Sequence, residues 1–429
     1  MNIIKNILKW TLGFVLLIMV LGISLWLFIS AEIRHLSGEN TPQVDAAQFE
    51  SRYGNLAITN VNVLSPDAAS MLPKRTLLIR GSRIEAVGEN LLIPQGYEII
   101  DAGGRFMIPG LIDTHIHPYR SKNDLLLYLA NGITHVAIMN SWRGLYLRWR
   151  EEAQAGPLSP SIYVAAGPMN TARDFRSKVY GLLGPIQLFN TPDETRKAVQ
   201  AFKQKGYDAL KAYTLDKENY FAVANEAQKQ DITMLGHLSP AVTLEALYLS
   251  GQLQVAHVEE ITKAVEREFG GRTSIYYDHT DTYLAYLREH ADLIAQKLKA
   301  KNITVSSTIM VYPAAKAQDV DLPEYLKSIE LAYVNPGILE GSIFSPGWLP
   351  GSNRYEDPDN TDPEGLRKAN IYWNTYTEVV HITTLALVRH GVRLTVGTDA
   401  GNAGIVPVFL KTPRVSRPAL FLSCYPPFF

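Results

Sequence analysis

Residues 108–117, IPGLIDTHIH, mark the point at which the hydrophobic pattern of this chain changes. Before Pro109-Gly110, short β-rich runs are separated by turn residues, and after it short apolar runs alternate with helical stretches. This alternation is typical of βα units with parallel strands. The quoted stretch is predicted to be the first such strand, ending in His115-Ile116-His117. Residues i and i+2 of an extended segment point the same way, so both imidazoles can reach one ion.

The pattern that follows predicts eight parallel strands, and therefore a (β/α)8 TIM barrel of the α/β class. Helical stretches separate most of the strands, for example 192–204 after the N-cap residue Thr191, 217–230 and 282–301. The last connection, 310–392, is long, so we expect it to fold over the barrel mouth and shape the substrate site. The predicted strands are 111–115, 134–140, 161–167, 209–214, 233–238, 254–259, 304–309 and 393–399.

Metal-compatible side chains stand at five of these strand ends. In such a barrel the catalytic residues lie at the carboxyl ends of the strands. A single histidine there is more often a structural residue than a ligand, and a single lysine is nearly always solvated. The joint placement on five strands instead predicts a metal site. The groups are His115 and His117 on the first strand, followed by Lys211, His237, His257 and Asp399.

The composition of the 429 residues excludes several classes of protein. An apolar content of 46% argues against disorder. With 41 Lys and Arg against 42 Asp and Glu, the chain has no basic field for phosphates, so nucleic acid is not an expected partner. A single cysteine excludes an internal disulfide and any cysteine-based zinc module. A metal would therefore be held by histidines and carboxylates.

The motif at 108–117, together with GTDAG at 397–401, resembles the amidohydrolase superfamily of metal-dependent hydrolases. The likeness covers about residues 54–407. The segment GYDALKAYT around Lys211 resembles the binuclear branch that includes imidazolonepropionase-like proteins and Xaa-Pro dipeptidases, in which this lysine is carboxylated. The run 57–104 resembles the amino-terminal half of the small β-sandwich of those enzymes.

The resemblance implies two divalent metal ions. It implies that His115, His117 and Asp399 bind the more buried ion, that His237 and His257 bind the other, and that carboxylated Lys211 bridges them. A lysine must be uncharged to react with carbon dioxide, and burial beside cations lowers its pKa. Asp399 would also act as general acid–base, moving a proton from the attacking hydroxide to the leaving amine. Zinc suits these ligands, and manganese, cobalt and iron remain open.

The amino terminus contains a twenty-residue apolar run, 10–29, which is long enough to cross a bilayer as a helix. Lys5 and Lys9 precede it, so the positive-inside rule places the amino terminus in the cytoplasm and the rest outside. We expect an uncleaved membrane anchor with an extracytoplasmic catalytic domain. The alternative is a cleaved signal peptide and a secreted enzyme.

The expected order of domains is a membrane anchor or signal segment over 1–31, a polar linker over 32–53 that acts as a tether, a partial β-sandwich with a small antiparallel sheet over 54–108, the barrel over 109–407 and a tail over 408–429. The tail has four prolines and no acidic residue, which neither a helix nor a core strand would tolerate. The family continues with a helix and further strands at this point. Our hypothesis is a reading-frame shift near residue 408 or a truncated gene product.

These observations predict a binuclear metal hydrolase that acts on an amide bond of a small molecule, such as a dipeptide or an acylated amino acid. Three alternatives remain open. The same site could hydrolyse an ester, lactone or phosphoester. A mononuclear deaminase is a second alternative, although deaminases do not need Lys211. A catalytically dead remnant is the third. Oligomeric state is not readable from the sequence.

Overall fold

Residues 109–406 of the computed structural model contain the expected barrel of parallel strands. The structure describes residues 2–49, 54–140, 144–156, 158–172, 186–271, 276, 279–343, 345–357, 360, 362–402 and 404–406. The eight barrel strands follow one another in chain order around the sheet. They are β6 (Leu111–Ile116), β7 (Ile133–Ile138), β8 (Ser161–Thr171), β10 (Ala209–Ala212), β11 (Thr233–Gly236), β12 (Gln254–Ala256), β13 (Thr304–Ser306) and β14 (Leu394–Thr395), and a short extra strand, β9 (Gln187–Phe189), pairs with β8.

The barrel closes where its first and last strands meet. Ile116 forms a parallel bridge with Ala400. The N–H of Thr114 donates to the carbonyl of Val396, and the N–H of Asp399 donates to the carbonyl of His115. The eight predicted strands are therefore confirmed, with corrected ends. The strand predicted over 254–259 stops at Ala256, because a helix begins at Val258.

The helices cover the outside of the barrel, and local capping explains several of their starts. Thr191 is confirmed as an N-cap, since its hydroxyl accepts from the N–H of Glu194 at the start of Pro192–Gln204. The described helices are α1 (Asn2–Ser37), α2 (Asn123–Ala130), α3 (Leu145–Ala155), α4 (Pro192–Gln204), α5 (Lys217–Lys229), α6 (Leu244–Ser250), α7 (Val258–Phe269), α8 (Thr280–Ala300), α9 (Val311–Ser328), α10 (Pro336–Glu340) and α11 (Pro363–Arg389). Two short 3-10 helices lie at Ala46–Phe49 and Leu331–Tyr333.

The sheet before the barrel is mixed, which corrects the expected antiparallel arrangement. Its strands are β1 (Asn55–Leu64), β2 (Met71–Arg80), β3 (Arg83–Gly88), β4 (Glu98–Asp101) and β5 (Phe106–Met107). β1, β2 and β3 pair antiparallel, but both β4 and β5 pair parallel with β1. The turn pattern of the sequence identified the strands and could not show that the chain crosses over before β4.

The long connection between β13 and β14 contains α9, α10 and α11. Trp348 and Ile338 from this connection are buried together with Val406, and Tyr119 from the loop after β6 packs against them. Arg354 donates to the side-chain oxygen of Asn402, three residues beyond Asp399. The connection therefore covers part of the barrel mouth, as the sequence predicted.

Helix α1 is long and apolar enough to span a membrane, a property that a signal sequence near an amino terminus shares. The helix continues six residues past the predicted end of the anchor at Ala31, so the first part of the expected linker is helical. The tail predicted over 408–429 lies outside the described residues.

Gly236 provides a test of the barrel packing. Its φ is +122°, and a Cβ there would lie 2.2 Å from the carbonyl oxygen of Ala212 on the neighbouring strand. We expect Gly236→Ala to lower the free energy of unfolding by about 1–3 kcal/mol more than Gly270→Ala does. Gly270 is the matched control, because its φ is +136° and a Cβ would meet nothing within 4 Å. Urea unfolding of both full-length variants measures the difference, and equal losses would contradict this packing.

Candidate metal centre

Three nitrogen atoms from two barrel strands converge at the carboxyl end of the barrel. The Nε2 atoms of His115 and His117 lie 3.2 Å apart. The Nζ atom of Lys211, at the end of β10, lies 3.1 Å from the Nε2 atom of His115 and 3.5 Å from that of His117. Lys211 is only 1% exposed. The i, i+2 spacing predicted for the first strand therefore does bring both imidazoles to one point.

Asp399 completes a group with metal-binding geometry. Its Oδ1 atom lies 3.2 Å from the Nε2 atom of His117 and 3.6 Å from that of His115. One ligand atom from each of the three residues falls within 4.8 Å of the others, which is a spacing that one ion can bridge. A candidate metal site at His115, His117 and Asp399 is thus present.

His257 and His237 extend the cluster from His115. The ring centroids of His115 and His257 are 4.5 Å apart, and those of His257 and His237 are 4.7 Å apart. Two contacts orient these rings. The Nδ1 atom of His257 lies 2.7 Å from the hydroxyl oxygen of Thr308, and the Nδ1 atom of His237 lies 3.3 Å from a carboxylate oxygen of Glu260.

The backbone is strained at the strand ends that carry the site. His257 has a φ of +74°, Thr308 of +35° and Asp399 of +58°, a region that residues other than glycine rarely adopt. Such conformations cost roughly 1–3 kcal/mol each and persist only where the surrounding structure fixes them. His257 follows β12 directly and Asp399 lies four residues after β14, and at both positions the strained backbone accompanies a buried side chain.

Burial favours the uncharged forms of the nitrogen-bearing side chains of the site. It lowers the pKa of Lys211 to about 8 and that of His257 to about 3, and it lowers the pKa of His115 well below its usual value. Burial acts in the opposite direction on Asp399, but the hydrogen bond from His117 and the nearby cationic groups outweigh it, so the pKa of Asp399 is lowered. A metal ion binds neutral imidazoles and ionised carboxylates, and these are the protonation states that the pKa shifts favour.

The donor set fits a divalent metal. The Nδ1 atom of His115 is buried and has no hydrogen-bond partner within the described part of the chain. Hydrogen bonds alone therefore do not explain why this imidazole is buried. The Nε2 atoms of His115 and His117 lie 3.2 Å apart beside the carboxylate of Asp399, and a cation between these donors could accept a lone pair from each of them. His and carboxylate ligands of this kind suit zinc and related ions.

All six residues predicted as site residues meet at one place, but the sequence analysis missed three residues that support them. These are Asp113, Glu260 and Thr308. Asp113 accepts hydrogen bonds from the N–H groups of His115 and Thr398. Asp113 lies inside the motif at 108–117, and no other feature of the sequence pointed to its role. Glu260 and Thr308 carry no local signal, because their partners are distant in sequence.

The remaining histidines lie elsewhere. His135 is exposed on β7, where its ring contacts the Thr134 hydroxyl, and His390 pairs with Asp292. Tyr213 packs its ring against His237 at a centroid distance of 4.3 Å.

Comparison with curated proteins finds short regions of similarity. The chain is 38% identical over 89 residues to adenine deaminase 2 of Bradyrhizobium sp. (strain ORS 278), which is 19% of this chain and 15% of that protein. It is 26% identical over 106 residues to imidazolonepropionase of Phocaeicola vulgatus, which is 21% of this chain and 26% of the relative. The chain thus spans about a quarter or less of these relatives. No family model matches the chain.

Solved structures match over most of the chain. The bottromycin amidohydrolase matches with a TM-score of 0.62 at 18% identity, covering 88% of this chain and 76% of its own. A Xaa-Pro dipeptidase with bound methionine in its active site matches with a TM-score of 0.51 at 16% identity, covering 82% and 80%. The chain therefore shares the fold of these two solved structures. At these identities the structural matches show the fold alone, and the activity and substrate of this chain are separate questions.

Metal addition tests the candidate metal site directly. We expect Zn²⁺ to raise the stability of the full-length protein, by about 2.7 kcal/mol at a free concentration of one hundred times Kd. His117→Ala should abolish most of this effect, because it removes one of the three clustered ligands. His135→Ala, a histidine outside the site, should leave it unchanged. Thermal unfolding with and without the metal measures both variants, and stabilisation that survives in His117→Ala would place the metal elsewhere.

Proposed function

We propose that this chain is a binuclear metal-dependent hydrolase of amide bonds. The observation that carries the proposal is the position of Lys211, whose Nζ atom is buried 3.1 Å from a histidine Nε2 atom. Burial lowers its pKa to about 8, so roughly a tenth of the amine is uncharged at pH 7 and able to react with carbon dioxide, far more than for an exposed lysine. The carboxylated side chain would offer two oxygens in place of one nitrogen.

We assign the six residues to two ions. His115, His117 and Asp399 would hold the more buried ion, His237 and His257 the other, and carboxylated Lys211 would join them. The 4.7 Å separation of the His237 and His257 rings supports their assignment to one ion. Two divalent ions supply a nucleophilic hydroxide near neutral pH and a Lewis acid for the scissile carbonyl. Zinc is our first candidate for both ions.

Asp399 is our candidate for the general acid–base. Its Oδ1 atom faces the histidine pair, and its low pKa leaves it ionised and able to accept a proton from the nucleophile. The protonated carboxyl would then deliver that proton to the leaving amine. An amide needs this second transfer because an amine anion is a very poor leaving group.

The substrate would be a small molecule such as a dipeptide or an acylated amino acid. Names of relatives and structural neighbours support a C–N bond, since they include deaminases, a dihydroorotase and a Xaa-Pro dipeptidase. A panel of dipeptides, acyl amino acids, esters, lactones and phosphoesters tests the bond class. Turnover of esters or lactones alone would replace the amide proposal with the esterase or lactonase alternative.

We also propose that α1 anchors the protein in a membrane, with the catalytic barrel on the extracytoplasmic side. Residues 10–28 of the helix are all exposed to the surroundings, as side chains that contact lipid would be. A cleaved signal sequence is the alternative. The intact amino terminus in a membrane fraction, read by amino-terminal sequencing, would exclude cleavage.

The Lys211→Met variant tests whether the site holds one metal ion or two. We expect the full-length protein to hold about two ions per chain in the presence of bicarbonate, and Lys211→Met to hold one or fewer, because the bridging group is lost while most of the side-chain volume is kept. Lys229→Met, on the surface of α5, is the control and should retain both ions. Elemental analysis of purified protein gives the counts. One ion per chain in both the native protein and Lys211→Met would favour a mononuclear site.

The Asp399→Asn variant tests whether Asp399 acts as general acid–base as well as metal ligand. We expect Asp399→Asn to lower kcat on an amide substrate by at least about 100-fold, since an amide side chain cannot exchange the proton. Metal content should fall only in part, because the amide oxygen remains a ligand. Asp193→Asn, at an exposed site on α4, should change neither quantity. Complete metal loss in Asp399→Asn would show that the residue acts mainly as a ligand.

A further inference from the structure

The segment that carries Arg354, between α10 and α11, is held in place by the residue that precedes it. Asn353 is only 6% exposed. Its side-chain amide donates to the carbonyl of Trp348 at 2.8 Å and to the side-chain oxygen of Gln318 at 2.9 Å. Its own side-chain oxygen accepts from the N–H of Tyr355 at 2.8 Å. The backbone on both sides of Arg354 is therefore fixed.

Two hydrogen bonds in series join the guanidinium of Arg354 to the carboxylate of Asp399. The Nη1 atom of Arg354 donates to the Oδ1 atom of Asn402 at 3.1 Å. The Nδ2 atom of Asn402 then donates to the Oδ2 atom of Asp399 at 3.1 Å. Because the oxygen and nitrogen of one amide group are close together, the guanidinium lies within about 9 Å of that carboxylate. Arg354 is thus connected to the candidate metal centre by direct contacts.

The charge of Arg354 also acts across the barrel mouth. Burial raises the pKa of three tyrosines there, and the positive charge of Arg354 opposes this rise in each of them. These tyrosines are Tyr119 after β6, Tyr213 after β10 and Tyr355 in the long connection. Since they stand on three different segments, the guanidinium is near the opening of the barrel and not only near its own loop.

Most hydrogen-bond donors of Arg354 have no partner within the described part of the chain. The side chain is exposed, and its contacts there are the bond to Asn402 and the face of the Tyr355 ring, whose centroid lies 5.2 Å from Cζ. A guanidinium has five N–H donors, and its planar fork matches the two oxygens of a carboxylate. An exposed arginine is often only solvated. This one stands on a fixed segment beside the candidate site, where it can bind an anion.

Lys263 is a second cation near the mouth, and its charge is already neutralised. Its Nζ atom donates to Glu259 at 2.9 Å and to Glu260 at 3.0 Å. An anionic ligand would have to displace one of these carboxylates. Arg354 offers its donors without such a loss, so an anion at the mouth is expected to bind Arg354 instead.

The reach of Arg354 suits the leaving group of an acylated amino acid. A general acid lies about 3 Å from the nitrogen that it protonates. In an amino acid the carboxylate oxygens are about 3 Å from that nitrogen, and a charge-assisted hydrogen bond adds about 2.8 Å. These steps together span up to about 9 Å, which is the limit that Asn402 sets between the guanidinium and Asp399.

We propose that Arg354 binds the free α-carboxylate of the amino acid that leaves. The site would then select dipeptides and N-acylated amino acids over amides that lack this carboxylate. Arg354 would determine specificity, while Asp399 delivers a proton to the nitrogen two bonds from the bound carboxylate carbon. This inference rests on the proposed function, because it assigns substrate recognition at the same site.

Matched substrates test the inference in the full-length, metal-loaded protein. The pairs are N-acetyl-leucine and N-acetyl-phenylalanine, each against its carboxamide, with release of acetate as the readout. We expect kcat/KM to be about tenfold or more higher for the acids, and Arg354→Met to bring this ratio close to one, mainly through KM. Arg354→Lys should keep part of the preference, because it retains the charge and loses the fork. Arg148→Met, at an exposed arginine of α3, is the control and should keep the native ratio.

Inversion of the charge gives a readout that a merely structural role would not move. The probes are N-acetylglycine, which carries a carboxylate beyond the amide, and N-acetylethylenediamine, which carries an ammonium group there. The native protein should prefer the first probe, and Arg354→Glu should prefer the second. A loss of activity that is equal for both probes would show that Arg354 only supports the structure, and would overturn the inference.

A binding measurement separates the inference from the proposed function. N-methylsulfonyl-leucine is a sulfonamide analogue of the acylated amino acid, and its carboxamide is the matched neutral probe. Calorimetry should show tighter binding of the acid, and Arg354→Met should remove the difference. This result without hydrolysis of any amide would support the inference and contradict the proposed function. Hydrolysis of acids and carboxamides at equal rates would overturn the inference and leave the proposed hydrolase in place. A preference for the acids that persists in Arg354→Met would exclude Arg354 as its cause.

Discussion

The buried carboxylate of Asp113 holds the ends of the barrel together. It accepts hydrogen bonds from the hydroxyl of Thr398 at 2.6 Å, from the N–H of Thr398 at 3.0 Å and from the N–H of His115 at 3.1 Å. These bonds join the first strand to the segment after the last one. Burial raises the pKa of Asp113 to about 6, which shows the electrostatic cost of placing a carboxylate there. The hydrogen bonds that Asp113 accepts offset this cost, and they hold the segment of His115 beside that of Asp399.

Sequence patterns predicted the parts of this molecule that depend on local periodicity. The eight strands, the cap at Thr191 and the placement of six polar residues at strand ends all follow from spacing and residue type. The exact strand ends did not follow. His257 was predicted inside a strand, but its positive φ ends β12 and aims the ring inward. Such a conformation is imposed by the tertiary structure, and no local pattern encodes it.

Supporting residues were hidden from the sequence for a similar reason. Glu260 is one turn into a helix, and only the packing of α7 places it 3.3 Å from His237. The parallel pairing of β4 and β5 with β1 depends on how the chain crosses the sheet, and hydrophobic alternation is the same for either direction. The candidate metal ligands carried a signal in the sequence, whereas the residues that orient them carried almost none.

The junction between α1 and the barrel also has a mechanical consequence. A transmembrane helix adjusts to bilayer thickness by tilting, because its apolar length must match the hydrocarbon. α1 runs from residue 2 to Ser37 as one helix, and its end packs against Arg120 and α10. In the membrane-anchored state that we propose, a tilt of this helix would therefore be passed to the barrel as a rigid rotation. Lipid thickness would then set the angle at which the catalytic opening faces the membrane.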